Sequence, residues 1–94
     1  MTTADQGRDL YVRMQLLRIL DRAQGYPLRE TVLANEVAIS LDGIVSDGDL
    51  AGHLEYLRAH GLVDFGVGPV GGPRSWKITD DGKRAFREYD YNQT

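Results

Sequence analysis

Four groups of residues have the types and spacing that chemistry would need. Gly66-x-Gly68-x-x-Gly71 matches the glycine pattern that lets a backbone approach a pyrophosphate, which works where a strand feeds a helix N-terminus. Here Gly72-Pro73 and then a strand follow, so the glycines read as a hairpin tip, and the chain is far too short for the kinase type of glycine loop. His53 and His60 stand seven residues apart, whereas helical two-histidine metal motifs use i, i+4, and no cysteine or third ligand accompanies them. His60 suits the last turn of a helix, where a cation meets the dipole. His53, on an outward face with Gly52 and Tyr56, is either plain surface or a donor to a phosphate or base edge. Asp47 and Asp49 have the spacing of a carboxylate pair for acid–base work, but helix capping accounts for both. Arg74 and Lys77 are the cations best placed for a phosphate backbone, with no acid between Phe65 and Ile78. No Ser/His/Asp nucleophile motif is present. No enzyme activity, cofactor or metal is expected.

The element that must position these groups runs from Ser46 to Val63. Ser46 and Asp49 form a capping box, with Asp in place of the usual Glu or Gln, and Asp47 and Asp49 put negative charge at the positive end of the dipole. Leu50, Leu54 and Leu57 make one apolar stripe. Gly61 ends the helix by supplying positive φ, which gives a helix over 47–60. Leu62, Val63, Phe65 and Val67 continue as a strand.

Around it, the first helix is expected over about 4–24. Val12, Leu16, Ile19, Leu20 and Ala23 share one face and Leu10, Met14 and Leu17 an adjacent one, while Arg8, Tyr11, Gln15, Arg18 and Arg22 take the remaining side. So wide an apolar arc means either a central helix or a second face that meets another subunit; a homodimer contact is the favoured reading. Gly25-Tyr26-Pro27 closes this helix, and Leu28 has the option of pairing as a short strand. A second helix over 29–41 buries Leu33, Val37, Ala38 and Leu41. After the central helix, two short strands around V-G-P-V-G-G-P make a loose hairpin over 61–79. Trp76, alternating with Ile78, reads as a core aromatic. Thr79 caps a last helix over 80–89, with Ala85, Phe86 and Tyr89 inward and a fraying tail from Asp90.

Composition sets the outer bounds. The 94 residues, 41% hydrophobic and 27% charged, make one soluble globular domain over 1–94. No apolar run approaches the roughly 20 residues of a membrane span, and the N-terminus lacks a signal-peptide layout; the cytoplasm is the expected compartment. Without cysteine, stability must come from packing. Net charge is −3, but its distribution is uneven. Residues 1–24 carry four arginines against three aspartates, residues 25–60 two basic against six acidic groups, and residues 61–94 five of each. The central helix thus lies in the most acidic third, whereas a nucleic-acid binder usually shows a basic patch.

The order helix, short strand, helix, helix, strand, strand, helix is α+β, mostly helical, and resembles a winged helix-turn-helix domain with a C-terminal helix. W-K-I-T-D-D-G-K-R-A is similar to the strand, T-x-x-G, helix ending of winged-helix regulators of the MarR and PadR type. R-I-L-D-R-A-Q-G-Y-P-L-R-E-T-V-L, V-S-D-G-D-L and L-E-Y-L-R-A-H-G-L-V also resemble a group of small Mu-like phage and prophage proteins. These resemblances imply a DNA-binding regulator whose central helix enters the major groove while the wing lies on phosphates. The residues that would carry contacts are Gly48, Gly52, His53, Tyr56, Arg74 and Lys77. The outward positions hold no Arg, Asn or Gln for bidentate base reading, so double-stranded DNA and a basic protein partner both stand as occupants of this face.

Overall fold

The computed structural model describes residues 3–41, 47–66 and 75–93. Over these the chain forms α1 (Thr3–Arg22), β1 (Leu28–Arg29), α2 (Glu30–Leu41), α3 (Asp47–Ala59), β2 (Val63–Phe65), β3 (Ser75–Ile78) and α4 (Asp80–Gln93). The proposed Ser46 cap, Ile44, Val45, the hairpin tip and Arg74 lie outside the described residues.

Helix α1 stops at Arg22, two residues before Gln24. Gln24 (φ 54°) and Gly25 (φ 89°) are both left-handed, which no α-helix can accommodate, and Pro27 follows. The turn hands the chain to β1, so Arg29 is a strand residue and α2 starts one position later, at Glu30. The three strands form an antiparallel sheet in the order β1-β3-β2, with Leu28 opposite Trp76 and Phe65 on the other side of Trp76. Leu62 was expected in β2, but it makes a bend instead, its amide bonded to the Leu57 carbonyl at 2.9 Å.

The core draws on every layer: Val12, Leu16, Leu17 and Leu20 of α1, Leu33 and Val37 of α2, Leu50, Leu54 and Leu57 of α3, and Val63, Trp76 and Ile78 of the sheet. Trp76 is fully enclosed, packs on Phe65 at 4.7 Å between ring centroids and donates its indole N–H to Glu30 Oε1 at 3.0 Å, which removes the penalty of burying that donor.

Helix α1 is central. It packs against α2, α3, α4 and β3, and this accounts for most of its broad apolar arc. Leu17 is buried and Met14 half-buried, while Leu10 stays 48% exposed. Gln15, expected on the polar side, is buried, because a wheel cannot show that α4 runs along that side. Arg18 marks the contact, with Nη2 3.6 Å from Asp90 Oδ1 and its guanidinium carbon 5.8 Å from the Phe86 ring centre. The same contact carries α4 to Gln93, past the expected end at Tyr89 and through part of the presumed frayed tail.

The T-x-x-G segment joins α3 to α4. Thr79 Oγ1 accepts from the Gly82 amide at 3.0 Å and donates to the Gly61 carbonyl at 2.6 Å. Gly61 has φ 75°, as the helix stop requires. Gly82 is buried, and a Cβ there would collide with the carbonyl oxygen of Leu62. Gly52, in contrast, has nothing within 4 Å of where a Cβ would stand. The same substitution therefore has opposite signs at the two positions. Gly82→Ala is expected to destabilise by about 1–3 kcal/mol through overpacking, and Gly52→Ala to stabilise by about 0.5–1 kcal/mol through helix propensity. Parallel urea melts check this, and a shift of the same sign in both variants would show that one of the two environments is wrongly assigned.

Candidate nucleic-acid interface

Helix α3 is anchored by its leucine stripe, so its opposite side faces outward. Gly48 and Gly52 are exposed there and Tyr56 is 42% exposed. With no side chains at 48 and 52, a cleft of about 390 Å3 opens between Arg8, Asp9 and Arg13 of α1 and Gly48, Gly52 and His53 of α3.

His53 is not on the outward face as expected. Its side chain is only 11% exposed, turned into the seam between α1 and α3. Arg13 Nε donates to its Nδ1 at 3.3 Å, and Asp9 Oδ1 lies 3.8 Å from Nε2, beyond hydrogen-bond length. An Nδ1 that accepts is unprotonated, so the ring is neutral with its proton on Nε2. Burial pushes the His53 pKa below its ordinary value of 6.5, and Arg13 and Arg8 push the same way, against the opposing pull of Asp9 and Asp49.

Arg13 extends beyond His53 onto α3. Its guanidinium carbon lies 3.6 Å from the centre of the Tyr56 ring, a cation–π contact, and the His60 ring lies 4.2 Å from the same ring, centre to centre, at an interplanar angle of 74°. Arg13 belongs to none of the three α1 faces read from the sequence, and no motif links positions 13, 53 and 56. The signal available was weak: a tyrosine and a histidine one turn apart, with arginines on the first helix.

The other cations are dispersed. Arg8 faces the cleft, whereas Arg18 turns to α4 and Arg22 borders a groove with Leu28 and Val32, so the arginines that share one side of the α1 wheel do not form one surface. Arg58 of α3 lies over Phe65 at 4.4 Å and 3.7 Å from Glu55. Lys77 is half-buried on β3, directly across from Asp64, an acid just outside the window that looked free of them. Trp76 is core. Gly66 follows β2, where a Cβ would collide with Pro27, and the next described element is a strand. Among the described residues no cluster of His, Asp and Glu is arranged to hold a metal, and no described helix is long and apolar enough to cross a membrane.

Three helices, a two-residue strand inserted before the second, and a hairpin following the third constitute the winged helix-turn-helix fold, here with a C-terminal helix. Solved structures share it. A PadR-like transcription factor from Bacteroides fragilis superposes with a TM-score of 0.78 at 19% identity, covering 96% of this chain and 86% of that one. A transcriptional regulator from Clostridium thermocellum has a TM-score of 0.78 at 16% identity, with 99% and 88% covered. F93 from STIV, a winged-helix DNA-binding protein, gives 0.69 at 20% identity, with 83% and 82% covered. No protein-family model matches the chain, and no curated protein does.

Because the folded state favours neutral His53, its contribution to stability is full above the ordinary pKa of 6.5 and is lost as pH falls below that value. Stability is therefore expected to drop between pH ~7.5 and ~5.5 by more in the wild type than in His53→Gln, which cannot titrate. Thermal melts of both proteins at the two pH values provide the check, and identical pH dependence would refute the seam geometry.

Proposed function

We propose that the chain is a small winged-helix DNA-binding transcriptional regulator that works as a homodimer. The observation that carries this reading is the presentation of α3: its inner face is fixed by three buried leucines, and its outer face is kept smooth by Gly48 and Gly52, where close approach of a groove meets no side chain. The structural likeness to transcription regulators supports it. The likeness of V-S-D-G-D-L and its neighbours to Mu-like phage proteins favours a phage derivation.

A second reading, a winged helix that docks a basic protein, is favoured by the acidic balance of residues 25–60 and by Asp64 opposite Lys77. The two readings give opposite signs. On mixed-sequence duplex, binding is expected at low salt and to weaken steeply as salt rises. Arg74→Ala with Lys77→Ala would flatten the salt slope by about 2 units, and Asp47→Asn would strengthen non-specific binding. For a protein-docking module, Asp47→Asn would instead weaken the complex and the Arg74 and Lys77 pair would matter little. Absence of duplex binding at low salt eliminates the DNA reading.

Support for the dimer comes from the part of α1 that the fold leaves uncovered, Leu10 at 48% and Tyr11 at 41% exposure. Sedimentation at micromolar concentration is expected to show a species of twice the 10.5 kDa chain mass; a lone 10.5 kDa boundary would remove the dimer.

A further inference from the structure

We propose that Arg13 of α1 is a DNA-contacting residue of the α3 face, its guanidinium binding a phosphate of the duplex backbone, and that Tyr56 and His53 are the residues that position it. The inference rests on the DNA reading above and supplies what that reading lacks. The outward positions in the N-terminal half of α3 carry no cation, and phosphate neutralisation dominates the affinity of DNA-binding proteins.

Arg13 is held where such a cation is needed. Arg13 is half-buried, and its guanidinium carbon lies 3.6 Å over the centre of a Tyr56 ring that is itself 42% exposed. The bond to His53 Nδ1 uses Nε. The two terminal nitrogens carry the remaining N–H groups, the fork whose geometry matches a phosphate bidentately. A guanidinium set over a ring and bonded at one edge has already lost much of its rotamer freedom, so less entropy is lost on contact. Among the described residues, the cleft at Gly48 and Gly52 leaves the approach beside it open. Arg58, the only cation on α3 itself, is engaged with Phe65 and Glu55 at the other end of the helix.

A purely structural Arg13, stapling α1 to α3, would have the same contacts in the free protein, so the test must count phosphates. Duplex affinity is measured against salt for the wild type, Arg13→Gln, Arg13→Lys, His53→Gln and His53→Leu, with a thermal melt for each. Arg13→Gln is expected to reduce the salt slope by about 1 unit and to weaken binding on the order of tenfold. Arg13→Lys keeps the charge but not the fork, so the slope is retained while affinity falls. His53→Gln preserves an acceptor and loses less affinity than His53→Leu. His53→Leu weakens binding a few-fold at unchanged slope, because no cation is lost.

The positioning role has its own readout. The groups facing His53 are Arg8, Asp9 and Arg13 from α1 and Asp49 from α3. A proton on Nδ1 removes the acceptor and sets a like charge against Arg13. The difference between wild type and Arg13→Gln should therefore shrink as pH falls from about 8 to about 5.5, and should not shrink when both are measured in the His53→Gln background. If the wild type fails to bind duplex at low salt, the DNA reading falls and takes this proposal with it. If the wild type binds and Arg13→Gln matches it in slope and affinity, Arg13 is structural and only this proposal is overturned. Should Arg13→Gln melt below the assay temperature, Arg13→Lys decides: unchanged affinity overturns the proposal, and reduced affinity at retained slope supports it.

Discussion

The Thr79 hydroxyl donates to the carbonyl that closes α3 and accepts from an amide in the first turn of α4, so one side chain fixes the end of one helix relative to the start of another. Around it the Thr79 amide bonds the Leu62 carbonyl at 3.1 Å, and the same carbonyl excludes any side chain at Gly82. These contacts hold β2 and β3 at the spacing that lets Val63 face Ile78 and Trp76 enter the core. Helix α4 leaves this point in the direction that carries it along α1. The placement of α3 against α1, and with it the seam where Arg13 meets His53 and Tyr56, depends on this joint.

Signals local to the chain were legible in the sequence. The positive-φ stop at Gly61, the cap at Thr79, the leucine stripe of α3 and the core position of Trp76 each depend on neighbours within a few residues or on strand alternation. What was not legible depends on partners far along the chain. Gln15 looks polar on a wheel until α4 is placed beside it. The last turn of α4 looks frayed until Arg18 supplies an ion pair for Asp90. His53 looks outward until α1 presents Arg13 and Asp9. In each case periodicity assigns a residue to a side of its helix, and only the packing of helices decides whether that side meets water.

The charge distribution shows the same division. Read along the chain, residues 25–60 are acidic and unsuited to a polyanion. Read in space, the basic first third contributes Arg8 and Arg13 to the edge of the acidic helix, and Lys77 of the last third is set against Asp64. A linear sum understates the cationic character of the surface around α3. The surface that matters to a charged partner is assembled from two segments that no local motif connects.

The pairing of β1 with β3 also orders events in time. Leu28 and Arg29 find their register against Trp76 and Ser75, so the earliest strand on the chain has no partner until nearly fifty further residues have been made. Closing so long a loop is entropically unfavourable, and contacts of high sequence separation slow folding. The helices α1 to α3 all precede β3 on the chain and can dock first, holding β1 at the margin of a half-built core. On a ribosome the sheet is sealed when Trp76 arrives and its indole meets Glu30, and only α4 remains to follow along α1.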